Sequence, residues 1–364
     1  MLSGYRGPAH YVQGPGAIDA LGTLVRPHGR RPAVVCDGTV RELLGERIDA
    51  ALRASGVDVC NLDFAGEVTP GAVDAMARHA RRAGCDCVIG IGGGKSIDAG
   101  KCVAVRLSAP FLSVPTAAST DAPASLGAAV YNEAHVRTGS ERLKRHPELV
   151  LVDTAVIASA PARLLAAGIG DALSKKFEAQ AAAAAGAGNY HGYVPTRFAM
   201  AIADTCYRTL REHGHAAFED VEAGRTSAAL EATVEAIIFM SPVAFENGGL
   251  SFAHSMQTAL MQARGASRRM HGEHIAYALL VQLAMESRAD QEITDLAGFL
   301  GPLGLPVSLA DLDCPEPSED ELCSIAAITC AEKWAHHVPF PVDEAMIVAA
   351  MRRIEKLSDE WRGQ

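Results

Sequence analysis

The chain changes character near residue 160, and that change limits its possible folds more than any other feature. Up to about residue 155, short β-branched or apolar runs alternate with stretches of helical periodicity. PAVVC (32–36), VDVCNLDF (57–64), CDCVIGI (85–91), FLSVP (111–115) and LVLVD (149–153) read as strands. RELLGERIDAALRASG (41–56) and PGAVDAMARHARRAG (70–84) read as helices closed by glycine, the second with Pro70 near its start. This alternation predicts a Rossmann-like, doubly wound parallel sheet covered on both faces. From Pro161 onward strand-like alternation disappears. Helices are expected over 164–186, an alanine-rich buried one, and at about 195–212, 227–240, 249–263, 271–287, 289–300, 319–334 and 343–360. The expectation is an α/β domain over 1–160 and an all-α domain over 161–364, with a cleft of the kind small-molecule sites prefer.

The third expected strand runs into GIGGGKSIDAGK (90–101). Glycine permits positive φ and lets backbone N–H groups approach a ligand closely. Those groups and the following helix N-terminus make an anion site suited to phosphate or pyrophosphate. The glycines stand at 90, 92, 93 and 94, so the usual GxGxxG dinucleotide fingerprint does not apply. A bare glycine turn remains the alternative, against which Lys95 argues.

A formal charge of -10 opposes a nucleic-acid partner, so any anionic ligand must be held locally. The 9 cysteines are scattered without CxxC spacing, which fits reduced thiols. The opening MLSGYRGPAHYVQGPG has no apolar h-region, and no uninterrupted apolar stretch reaches membrane-spanning length. The expectation is a cytoplasmic protein with no membrane partner.

Asp171 in GIGDAL, His254 in NGGLSFAHS and His271 in MHGEH each lie near glycine at an apparent helix end or turn. One carboxylate and two imidazoles suit zinc or another divalent ion with positions left open. Their spacing alone does not bring them together, and each has an ordinary structural reading. VPTAASTDAPAS (114–125) places hydroxyls and Asp121 after the fourth expected strand, either at a ligand edge or in a solvated turn. Asp37 ends the first expected strand, where a carboxylate can accept hydrogen bonds from an adenosine ribose or serve a simple turn.

GIGGGKSIDAGK, PTAASTDAP, VDTAVIASAPARLLAAGIGDAL, FENGGLSFAH and HGEHIAYA occur in this order in the glycerol dehydrogenases. The chain resembles that zinc-dependent branch of the group III, iron-containing-type alcohol dehydrogenases from about residue 7 to 360. The resemblance implies a dehydroquinate synthase-like architecture and a homo-oligomer. It implies that Asp171, His254 and His271 hold zinc, with iron or another divalent ion possible. It further implies an NAD site at Asp37, Gly93, Gly94, Lys95, Asp98, Thr116, Ser119, Ser125 and Tyr131. Asp121 is expected to contact the polyol, with Lys175 and Phe245 also at the substrate; Asp121, His254 and His271 are the expected catalytic set. The implied reaction interconverts a small vicinal diol or polyol, such as glycerol, and its hydroxyketone.

Lys175 stands where the iron-using relatives carry a further histidine and where the glycerol dehydrogenases carry an uncharged residue. One helical turn beyond Asp171, it faces either solvent or the metal. Gln257, Gly127, GAGNYHGYVPT (186–196) and WAHHVPFP (334–341) also depart from the pattern. Three alternatives stay open: another small ketone, an anionic 2-keto acid or phosphonate answered by Lys175, and a sugar-phosphate cyclase of related fold.

Overall fold

In the first half of the chain six short strands pair in parallel, in the order β1-β8-β5-β4-β2-β3. They are β1 (Tyr11–Gly14), β2 (Pro32–Asp37), β3 (Cys60–Phe64), β4 (Cys87–Gly92), β5 (Phe111–Pro115) and β8 (Leu149–Asp153). The structure is a computed structural model and describes residues 2–134 and 136–362. β4, β5 and β8 are buried along their whole length, as strands covered on both faces must be. The Gly38–Ala54 helix lays Ile48 and Leu52 onto Val34, Ile89, Leu112 and Leu149. Each such side chain contributes about 1.5–3 kcal/mol when fully buried.

β2 has β3 on one side and β4 on the other, with Cys36 opposite Ile91. The chain therefore reverses its direction across the sheet between β2 and β4. Their carboxyl ends, at Asp37 and Gly92, open the crevice in which doubly wound sheets bind ligands.

A strand and a hairpin of this half were absent from the sequence expectations, as were the short helices Leu21–Val25 and Thr154–Ala158. β1 joins the edge of the sheet beside β8, where buried Asp153 accepts hydrogen bonds from the N–H groups of Gly16 (2.9 Å) and Ile18 (3.2 Å). A hairpin, β6 (Gly127–Tyr131) with β7 (Arg137–Arg142), follows the polar loop after β5. The compact units also divide differently from 1–160 and 161–364. One comprises Arg6–Pro161 and Asp220–Pro242; the other comprises the chain up to Tyr5, Ala162–Glu219 and the chain from Val243 onward. The run Ala228–Gly248 is long and apolar enough to cross a membrane, contrary to expectation, but most of it is buried like a core helix.

The second unit is helical. Its Ala162–Ala184 helix and its His271–Met285 helix approach at two glycines. A Cβ on Gly272 would lie 1.7 Å from the Ala167 carbonyl oxygen, and one on Gly170 would lie 2.5 Å from the Gly272 carbonyl oxygen. This approach, open only to residues without side chains, sets Asp171 beside His271. Arg163 reinforces it with two hydrogen bonds to Glu273 (2.7 and 2.9 Å), whose carboxylate also accepts the N–H of Met270.

His274, three residues beyond His271, is buried and donates from Nε2 to the Ala266 carbonyl oxygen (2.8 Å). Its Nδ1 is buried with no hydrogen-bond partner, so a proton added there is not accommodated, and burial pushes its pKa down to about 4. An unfolded histidine titrates near 6.5, so below that pH the unfolded chain takes up the proton first. Stability is therefore expected to fall as pH drops from about 6.5 towards 4, by roughly 3 kcal/mol from this group. Urea unfolding at pH 7 and pH 4.5 checks this: His274→Gln should reduce the difference, and an unchanged difference would exclude His274 as its source.

Candidate active site

Helical periodicity puts Asp171, Lys175 and Glu178 on one face of the Ala162–Ala184 helix. All three are at most 1% exposed. Glu178 is saturated: Oε1 accepts the N–H groups of Ser251 (3.0 Å) and His254 (3.1 Å), and Oε2 accepts from Ser174 Oγ (2.8 Å) and His254 Nδ1 (2.6 Å). Burial alone would raise its pKa, but His254 and these hydrogen bonds hold it below the usual carboxylate value. With Nδ1 donating to Glu178, His254 presents the lone pair of Nε2 to the site. A carboxylate behind an imidazole in this way orients metal-binding histidines generally. Glu178 was not among the sequence candidates, although its position seven residues after Asp171 places it on the same helix face.

The three expected metal ligands do converge. Asp171 Oδ1 lies 3.5 Å from His254 Nε2 and 3.6 Å from His271 Nε2. Lys175 converges with them: its Nζ donates to Asp171 Oδ1 (2.5 Å) and lies 3.0 Å from His254 Nε2. Burial raises the Asp171 pKa, but the charge of Lys175 and the two imidazoles hold the carboxyl well below its ordinary range. Phe245, the other expected substrate residue, has its ring centroid 5.8 Å from Nζ and lines a cavity of about 180 Å³ with Tyr190, Trp334 and His337.

Three donors at these spacings suit a divalent ion; the fourth group does not. An ion bonded at about 2.1 Å to both Asp171 Oδ1 and His254 Nε2 lies no farther than about 3.3 Å from Lys175 Nζ, wherever it is placed. A divalent ion that close to an ammonium is repelled by on the order of 10 kcal/mol even at an effective dielectric of about 20. With Lys175 where it is, the residues present do not fit the expected ion.

The residues expected at the NAD site belong to the other unit. Gly92 has φ 139°, and a Cβ there would meet Ser96 Cβ at 2.8 Å and Asp37 Oδ2 at 2.9 Å. Gly93 precedes the Gly94–Leu107 helix, and a Cβ built on it meets nothing within 4 Å. A backbone cradle at a helix N-terminus beside open space fits a pyrophosphate. Asp37 Oδ1 accepts the Val40 N–H (3.0 Å) and Oδ2 accepts from Ser96 Oγ (2.9 Å). Each carboxylate oxygen retains capacity for a second donor.

Other members of the set are engaged in structure. Lys95 pairs with Glu67 at 2.5 Å. Asp98 and Ser125 serve a buried lysine the sequence reading passed over. Lys101 Nζ donates to the carbonyls of Ala122 and Gly127 (2.6 Å each), with Ser125 Oγ at 3.2 Å and Asp98 Oδ1 at 3.4 Å. Asp98 Oδ2 also accepts the Ala129 N–H (2.9 Å), so this network fixes the β6 hairpin to the helix behind the glycine turn. Thr116 donates its N–H to the Gly92 carbonyl (3.1 Å), and Thr116, Ser119 and Tyr131 are half-buried. Asp121, half-buried, stands at the start of the short turn Ala122–Ala124.

Comparison with known proteins defines the class. The family model of iron-containing alcohol dehydrogenases matches residues 8–154. A glycolaldehyde reductase of Halobacterium salinarum is 35% identical over 100% of both chains, and a glycerol dehydrogenase of Pseudomonas putida is 36% identical over 97% of both. The crystal structure of a probable glycerol dehydrogenase from Sinorhizobium meliloti 1021 superposes with a TM-score of 0.91 at 34% identity, covering 100% of each chain. The chain is an oxidoreductase that belongs to the iron-containing alcohol dehydrogenase family, a family of metal-dependent enzymes. Within that family its full-length relatives include the glycerol dehydrogenases, as the ordered motifs implied.

Proposed function

We propose that this chain is an NAD-linked dehydrogenase that interconverts a small vicinal diol with its α-hydroxyaldehyde or α-hydroxyketone. The observation that carries the reading is the full-length similarity, at 35–36% identity, to relatives named for glycerol and glycolaldehyde.

NAD, when bound, supplies hydride exchange at the nicotinamide ring. The backbone of Gly92–Gly94 and the N-terminus of the Gly94–Leu107 helix would hold its pyrophosphate. Asp37 would accept from the adenosine ribose and repel a 2′-phosphate, which favours NAD over NADP. In reduction, the carbonyl carbon gains hydride and its oxygen gains a proton from solvent. The Lys175 ammonium, held between Asp171 and His254, would donate towards the developing oxyanion, and Asp121 would orient the second hydroxyl. No step here passes through a divalent ion. A homo-oligomer in the cytoplasm, without nucleic-acid or membrane partners, completes the proposal.

Loss of NADH absorbance on adding glycolaldehyde, dihydroxyacetone, 2-keto acids or simple ketones tests the reading. Saturable turnover of the hydroxycarbonyls is expected, with Gly92→Ala raising the KM for NADH at least about tenfold because its Cβ intrudes on Ser96 and Asp37. Failure of every compound would overturn it.

A further inference from the structure

We propose that the ammonium of Lys175 takes the place of the divalent ion in this protein, which works without a bound metal. The reaction it serves rests on the reading above; the content of the centre does not.

A helical side chain leans towards the helix N-terminus, so Lys175 reaches back over the residue four positions earlier. That residue is Asp171, and Nζ meets the same Oδ1 around which His254 and His271 gather. Its second contact is His254 Nε2, an acceptor because Nδ1 donates to Glu178. The lysine thus engages two of the three atoms an ion would need. Its side chain is fully buried, and a buried ammonium persists only with partners of this kind. Shared positive charge at a carboxylate and two imidazoles is what a metal would have supplied. Here it is covalently tethered and cannot be lost to a chelator.

Elemental analysis of the wild-type protein, purified from zinc- and iron-supplemented medium, tests the proposal directly. Zinc and iron well below one equivalent are expected, with no thermal shift on adding zinc and no loss of NADH-dependent reduction in dipicolinate. Lys175→Ala vacates the position while keeping three donors. It is expected to bind about one equivalent of zinc, to be thermally stabilised by it, and to gain at least about tenfold in activity on zinc addition. One equivalent of metal in the wild type, removed by chelation or by His271→Ala, would overturn the proposal. So would a folded Lys175→Ala that takes up no zinc. Should that variant fail to fold, the metal content and zinc response of the wild type still decide. Should the wild type reduce no compound offered, the functional reading falls while these measurements continue to judge the centre.

Discussion

Asp171→Ala is expected to lower stability by about 3–5 kcal/mol, the usual consequence of leaving one member of a buried ion pair alone. The reason is local. Lys175 Nζ has its short contact with Asp171 Oδ1, and both side chains are at most 1% exposed. Without the carboxylate, the ammonium loses its short ion pair and keeps His254, the ring of Phe245 and the charge of Glu178, which already serves His254. Adding Lys175→Met should restore most of the stability, because an apolar side chain of similar length needs no partner. It should not restore turnover. Urea unfolding of the wild type, the single variants and the double variant gives the coupling between the two residues. A single variant as stable as the wild type would show that the pair is not a load on the fold.

Gly272→Ala carries the second large effect. Its Cβ would fall 1.7 Å from the Ala167 carbonyl oxygen, and that oxygen is backbone, so no rotamer change relieves the overlap. The two helices must separate, which is expected to cost at least about 3 kcal/mol. Separation also moves His271, the residue before the glycine, away from Asp171 on the facing helix. A displacement near 1 Å commonly costs about 10²-fold in rate, and a loss of that order in kcat is expected. Gly71→Ala is the control: a Cβ there meets nothing, and its effect should stay within about 0.5 kcal/mol. Similar losses in the two variants would remove the argument from close approach.

The sheet was legible where strands are buried on both faces, because such strands are unbroken apolar runs. FLSVP and LVLVD became β5 and β8 at the expected bounds. β1 was not legible: four half-buried residues, YVQG, pair with a strand more than a hundred residues away. The RTGSER strand of the hairpin is mostly exposed and carries no apolar alternation. Most helix positions after residue 160 followed from periodicity, although the helix expected to end near 212 runs Arg197–Glu222 and the one at Ser241–Gly248 was not expected; periodicity also does not say which unit a helix joins, and 220–242 joins the α/β unit.

The site divides similarly. Ordered motifs brought out Asp171, His254 and His271, which the structure brings within 3.6 Å of a shared oxygen. They did not bring out Glu178 or Lys101, whose importance depends on what a buried side chain meets rather than on its neighbours in sequence. Lys175 was visible as a departure from its relatives. Whether it faced solvent or the centre required the packing of the helices that bury it.

Hydride transfer is followed directly with NADH that carries deuterium at both C4 positions of the nicotinamide, with glycolaldehyde or dihydroxyacetone as acceptor. With the wild type, the alcohol formed is expected to bear deuterium at the former carbonyl carbon; transfer is expected to be at least about 10²-fold slower with His271→Ala, which removes one of the side chains gathered at Asp171 Oδ1. An alcohol without deuterium, or equal transfer by the two proteins, would exclude this hydride transfer at the centre that includes His271.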